Sequence, residues 1–447
     1  MGKKSFKNKL IGFAGLENIV RSLRYRNYRL FFYGQSISLI GTWIQRITVP
    51  WLVYRLTGSV FLLGLVGFAG QIPTFLMSPF AGVFIDRWNR HKILVVTQVL
   101  ALIQALVLAL LFYEKSISIW YIAILSVFLG IINAFDMPAR QSFVIDMIEK
   151  KEDLGNAIAL NSSMVNGARL IGPSIAGILI SLTGEGMCFL INAISYIFVI
   201  AFLLMMKITP REIVVQDTNA FQKFKEGFAY TFGFIPIRYI ILLLALVSLM
   251  GMPYTVLMPV FAKTILHGGS HTFGFMMGAT GIGALTGAIY MASRKNVAGL
   301  ENFIPWFAAI FGFGLILFSF STAFILSLFL LLITGFGMMM QMTSSNTILQ
   351  TIVDDDKRGR VMSFYTMAFM GTAPFGSLLA GALASKVGAP NTILIGGVAC
   401  ILGAMVFIRR LPEIRKEIRP IYRGLGIIPE IVVGIEATTE LTNPPVE

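Results

Sequence analysis

Apolar runs of about twenty residues recur from one end of this chain to the other, and they fix its solvent. About 20 helical residues cross the hydrocarbon layer of a bilayer. Only 13% of the 447 residues are charged and 56% are hydrophobic, against about 25% charged in a soluble domain. A core this apolar leaves too little polar surface to cover it, so lipid is the expected surrounding. The basic opening "MGKKSFKNKL" is not followed by a signal-peptide cleavage pattern. Cys188 and Cys400 both lie in apolar runs and read as packing residues rather than a disulfide.

The runs predict an all-α integral membrane protein of twelve transmembrane helices in two pseudo-symmetric six-helix bundles. The first six spans are expected at 30–54, 61–85, 93–112, 117–140, 156–182 and 187–206. The second six are expected at 239–262, 273–292, 303–321, 323–343, 361–385 and 391–408. The domain reading is a cytoplasmic segment 1–29, a bundle 30–206, a linker 207–238, a bundle 239–409 and a cytoplasmic tail 410–447. In the linker, "NAFQKFKEGFAYTFGF" sets Phe against Lys and Glu at helical spacing, which suits a helix on the membrane surface. The tail after Arg410 is polar and proline-bearing, and is expected to be mobile.

Basic residues give the orientation. Thirty of the 36 Lys and Arg fall on the side of the two termini, four on the other side, and Arg46 and Arg169 inside spans. The positive-inside bias therefore puts both termini in the cytoplasm of a bacterial inner membrane and supports an even number of spans. The net charge of +14 belongs to these loops, so no nucleic-acid partner is expected.

A repeat sits beneath the pattern. Sliding the chain by 204 residues lays Gly155, Gly167, Gly172, Gly177 and Gly184 over Gly359, Gly371, Gly376, Gly381 and Gly388. Spans five and eleven read as copies in two parallel halves, the layout of a carrier with a central site. Gly167, Gly172, Pro173, Gly177, Gly371, Gly376 and Gly381 are the expected packing and bending positions.

"GVFIDRWNRHK", residues 82–92, packs charge between two apolar spans. The span order, the duplicated halves and this loop resemble the major facilitator superfamily. The stretches "NAFDMPARQSF", "NAIALNSSMVNGARLIGP" and "GRVMSFY" resemble its exporter branch of enterobactin-exporter-like and macrolide-efflux-like proteins. The resemblance covers about 24–410, with Asn89 where the loop signature usually has Gly. It implies a gating role for Gly82, Asp86, Arg87 and Arg90, and Arg140 is expected to belong to the same gate. Asp86 is expected to accept from Arg87, Arg90 or the free N–H groups opening span eleven near Gly359, since helix N-termini favour anions.

Ionisable groups inside spans are costly unless paired or wet, so each is a site candidate. Arg46, Asp136 and Arg169 lie at similar depth and are expected to cluster, with Arg140 as an alternative partner for Asp136. The reading stays open between a pair that only holds spans four and five together and a cavity that binds an anion or carries a proton. Asn133 in span four joins the candidates. Gln341 and Asn346 in span ten are expected to orient substrate or to hold helices together. His267 and His271 lack a third ligand, no phosphate-binding loop occurs, and no catalytic triad is visible. No cofactor is expected and the chain does not read as an enzyme. The expected function is a monomeric secondary transporter, proton-coupled, exporting an amphiphilic small molecule of drug or siderophore type. The alternatives are an importer of a siderophore or other organic anion, a membrane scaffold, or an integral-membrane enzyme.

Overall fold

The computed structural model describes residues 20–208, 220–294 and 296–427, with the side chains of 78–80, 82–87, 151, 220–224 and 355–356 set aside. The expected segments 1–19, 209–219 and 428–447 therefore lie outside the described residues. The first bundle comprises α1 (Arg26–Thr57), α2 (Val60–Arg87), α3 (Arg90–Tyr113), α4 (Ile119–Asp146), α5 (Lys151–Thr183) and α6 (Glu185–Leu204). A linker helix, Ala220–Gly233, follows. The second bundle comprises α7 (Ile235–Ile265), α8 (Ser270–Ser293), α9 (Leu300–Ser319), α10 (Phe324–Ile352), α11 and α12 (Ala389–Gly424). In α11, Asp355–Thr366 and Ala373–Val387 are joined by a π-helical turn, Met367–Gly371.

Among the described residues, 11 of these helices are long and apolar enough to cross a membrane. The remaining one, α1, has 32 residues, but Gln35, Ser38, Gln45, Arg46 and Thr48 dilute its hydropathy. Three of these polar groups meet side-chain donors or acceptors on neighbouring helices. Gln45 donates to Gln104 of α3 at 2.9 Å and accepts from Asn192 of α6 at 2.8 Å. Ser38 donates to Gln98 of α3 at 3.5 Å. Gln35 accepts from Arg140 of α4 at 3.4 Å. Such hydrogen bonds join helices where lipid offers no competing partner.

Helix starts follow local chemistry. Asn89, in the expected turn, has φ −67° and caps α3 by accepting from the Lys92 N–H at 3.1 Å. The family's glycine is thus replaced by a residue that works as an N-cap. In α7 a π-helical turn, Val247–Gly251, precedes Pro253, as the turn in α11 precedes Pro374. Each turn sits just before a proline that cannot donate to the helical ladder. Ser248 donates to the Phe369 carbonyl, so the two turns touch.

The helix in α12 runs to Gly424, and this corrects the expectation of a mobile tail from Arg410. Ile414, Ile418 and Tyr422 recur every four residues and are buried, and Arg415 donates to Asn302. That apolar stripe gives the segment something to pack. The linker helix also has a partner: Phe228 and Phe232 meet Phe364 of α11, and Glu226 pairs with Arg360 at 3.0 Å.

The two bundles meet along two seams, α2 with α11 and α5 with α8. A Cβ on Gly64 would stand 2.7 Å from the Gly381 Cα, and one on Gly177 would stand 2.8 Å from the Gly274 Cα. Only glycine allows this approach. The repeat is thus visible as geometry. Gly177 and Gly381 each cross to the other bundle. Gly172 and Gly376 each abut a helix of their own bundle, at Trp43 and Leu249 respectively. Gly184 and Gly388 each leave their helix at φ +82° and +86°. Gly371 faces the Phe75 ring, whereas Gly167 has open space around it and is not a packing position.

Further cross-bundle contacts reinforce the seams on the side away from the termini. Tyr54 and Thr264 share a hydrogen bond of 2.8 Å, Trp51 stacks on Phe273, and Ser270 donates to the Gly177 carbonyl at 3.2 Å. On the terminal side, Gly155, Ala159, Ser162 and Ser163 of α5 are exposed, and so are their repeat counterparts Gly359, Ser363, Thr366 and Met367 of α11. Ser162, Ser163, Ser363 and Thr366 are polar among these, and polar groups inside spans favour water over lipid, which points to a cleft between the bundles on this side.

A Cβ on Gly67 would lie 3.3 Å from the Ser377 Cβ, close to the spacing of a disulfide. The double variant Gly67→Cys/Ser377→Cys should cross-link α2 to α11 on oxidation and stop transport, and reduction should restore it. Gel mobility and a transport assay read both outcomes; a pair that never cross-links contradicts the seam.

Candidate functional site

Asp136 sits on α4, just before Pro138, and is 5% exposed. Thr97 and Gln98 of α3 donate to its Oδ1 at 3.0 and 2.7 Å, and the Arg140 Nε lies 3.8 Å from its Oδ2. The bond from Arg140 to Gln35 extends this set to α1. The carboxylate is therefore held by two helices and linked through Arg140 to a third. Asn133 lies one turn earlier and is half-buried.

The expected cluster of Arg46, Asp136 and Arg169 does not form. α4 and α5 follow each other in sequence but barely touch, because α4 packs on α2 and α3 while α5 packs on α1 and α8. Arg140, the alternative, is the partner of Asp136. Arg46 and Arg169 instead meet over one ring. Their guanidinium carbons lie 4.9 and 6.0 Å from the centroid of Trp43. Trp43 is seated by α5, since a Cβ on Gly172 would stand 2.5 Å from the Trp43 Cβ. Among the described residues neither arginine has a carboxylate within salt-bridge distance. Arg46 is exposed despite its mid-span position, and Arg169 is half-buried. An arginine that keeps exposed surface at that depth needs water or a counter-ion rather than lipid.

On the second bundle, Gln341 is 1% exposed, with its amide nitrogen 3.4 Å from the Ser345 Oγ and its Oε1 unpartnered. Asn346 is half-buried and accepts from Gln350 at 2.5 Å. Gln341 faces packing rather than the cleft. Pro173 is buried within α5. Arg90 pairs with Asp146 at 3.3 Å, tying the start of α3 to the end of α4. Gly82, Asp86 and Arg87 are helical residues of α2 whose side chains lie outside the described set, so the expected latch is not placed.

Sequence reading misses Thr97, Gln98 and Trp43. Trp43 precedes Arg46 by three residues, a spacing that places both on one helix face, and this is the signal that could have found it.

The profile described as transmembrane secretion effector matches residues 20–423. The chain belongs to that family of major facilitator transporters. The staphyloferrin A transporter of Staphylococcus aureus is 28% identical over 392 residues, covering 87% of this chain and 98% of that protein. Macrolide efflux protein A of Streptococcus pyogenes is 22% identical over 403 residues, covering 88% and 98%. Among solved structures, a bacterial homologue of the human lysosomal transporter Spinster, inward-facing and unoccupied, matches with a TM-score of 0.67 at 14% identity, covering 88% of this chain and 98% of that one. A bacterial homologue of ferroportin, also inward-facing, gives 0.66 at 18%, covering 86% and 98%. The fold is the major facilitator fold, and this secretion-effector chain is an integral membrane transporter rather than an enzyme.

Removing one member of a buried ion pair costs about 3–5 kcal/mol. Arg140→Gln should lower the thermal unfolding midpoint in detergent, and Asp136→Asn/Arg140→Gln should recover most of the loss. A double variant no more stable than Arg140→Gln contradicts the pairing.

Proposed function

We propose that this chain is a proton-coupled exporter of an amphiphilic small molecule, working by alternating access in a bacterial inner membrane with both termini cytoplasmic. The observation that carries this reading is the closure of the described glycine seams on the side away from the termini, opposite the exposed faces of α5 and α11. With the basic loops assigned to the cytoplasm, that is an inward-facing state, open where an exporter loads. The macrolide efflux protein and the multidrug efflux pump Tap of Mycolicibacterium fortuitum, 23% identical over 408 residues, support export of amphiphiles.

Rocking breaks the glycine seams on the outer side and brings the exposed faces of α5 and α11 together on the inner side. In this reading Asp136 is the proton carrier. Arg140 also donates to Gln35 of α1, so a shift of its side chain toward Gln35 as water reaches the cleft exchanges Arg140 for a proton as the counter-charge of the carboxylate. Asp86 acts as the inner latch, formed only when that side closes. The second reading, import of a siderophore or other organic anion, is favoured by the two arginines that face the cleft without a carboxylate.

Two measurements test the scheme. In proteoliposomes, substrate addition should drive proton movement in the sense opposite to substrate, and Asp136→Asn should abolish proton-driven transport while binding persists. An unchanged pH dependence in that variant would leave Asp136 a purely structural residue. Asp86→Asn should reduce transport at normal membrane abundance; full activity removes the latch.

A further inference from the structure

Arg46 and Arg169 pose an electrostatic problem that the protein alone does not solve. They sit at one indole ring, repel each other, and have no carboxylate partner among the described residues. Among the described residues, the one carboxylate buried near mid-span in this bundle, Asp136, is taken by Arg140. A cation–π contact contributes about 0.5–2 kcal/mol, which does not replace a counter-ion for two guanidinium groups in a membrane.

The surroundings place the pair at the top of the cleft. Arg169 is eight residues below Gly177, about 12 Å along the helix at 1.5 Å per residue, so the closed seam roofs it. Below it on α5, Asn166, Ser163 and Ser162 form a polar stripe leading to the open side. The counterparts on α11 are Met370, Met367 and Thr366, with Ala373 in the place of Arg169. One wall of the cleft is thus cationic and polar, and the other sets adaptable methionine beside Thr366 with no charge. Across the seam, Gly281 of α8 lies against the Arg169 carbonyl. Tyr254 of α7, buried in the second bundle, lies close enough to Arg169 to sense its charge. The site therefore borders both bundles.

We infer that Arg46 and Arg169, presented on Trp43, bind a substrate carrying two acidic groups on an apolar or aromatic body. Arginine suits such a ligand because its planar donor fork binds carboxylates bidentately. The acidic groups supply the missing counter-charge, and the apolar body lies toward the methionine wall of α11. The inference rests on the transporter reading and narrows its amphiphile to a dianion. It also gives Trp43 a role as the platform that fixes both guanidinium groups.

The probe is naphthalene-2,6-dicarboxylate, compared with its monomethyl and dimethyl esters, on purified full-length protein in nanodiscs. Binding is followed by tryptophan fluorescence, with Trp43→Phe identifying the responding ring. The diacid should bind saturably, the monoester at least tenfold more weakly, and the diester not measurably. Arg46→Gln and Arg169→Gln should each weaken the diacid at least tenfold, while Arg→Lys at either position retains part of the affinity. Unaltered thermal unfolding of the lysine variants keeps folding out of the comparison. Equal binding of diacid and diester, unchanged affinity in both glutamine variants, or no binding of any of the three compounds overturns the proposal. A liposome flux assay separates this from the transporter reading. A diacid that binds but is never moved counts against transport alone, and a diester moved equally by wild type and Arg46→Gln counts against the dianion alone.

Discussion

Close approach of glycine backbones between the two bundles is the constraint on which the rest depends. In lipid no hydrophobic force drives helices together, so association relies on van der Waals contact and hydrogen bonds. The seams at Gly64·Gly381 and Gly177·Gly274 provide contact at backbone distance. Among the described residues they contain no ion pair; aromatic contacts such as Phe75 on Phe375 and Trp51 on Phe273, and the hydrogen bond from Gln71 to Ser377, flank the glycines, so separating them exposes mainly apolar surface that lipid accommodates. A seam of this kind holds one state and releases it. The touching π-helical turns of α7 and α11 give those helices a place to flex.

Polar chemistry is divided unequally between the bundles. The first holds a clamp of Gln45, Gln104 and Asn192, the Asp136–Arg140 pair and the two arginines at Trp43. The second answers with Gln341, Ser344 and Ser345, which are buried, and with methionine along the cleft face of α11. The halves share a backbone plan and differ in what they contribute. The first positions charge, and the second adapts around an apolar body.

Much of the fold is legible in the sequence because bilayer thickness sets helix length and glycine spacing survives as geometry. Spans five and eleven match by offset alone, and the structure gives four of the five matched glycine pairs equivalent environments or conformations, all but Gly167 and Gly371. The errors share a physical cause. Periodicity shows which face of a helix is apolar but not which helix will cover it. The sequence neighbours α4 and α5 therefore read as packing neighbours, and Asp136 falls beside Arg169 in that reading. In α12 the proline residues outweigh the four-residue recurrence of Ile414, Ile418 and Tyr422. The role of Trp43 is hidden because tryptophan in a lipid-embedded chain reads first as packing. The latch of Gly82, Asp86 and Arg87 and the proton-carrying role of Asp136 stand as proposals, resting on sequence pattern and charge.

The central claim is that two rigid bundles exchange which side is closed. Pulsed-EPR distances between labels at Glu149 and Gln350 on the terminal side, and at Leu56 and Val387 on the opposite side, measure it directly; all four residues are exposed. Without substrate the first pair should be far apart and the second close. Adding substrate under a proton gradient should shorten the first distance as the second lengthens. Distances that stay fixed, or that move in the same direction, would contradict the account.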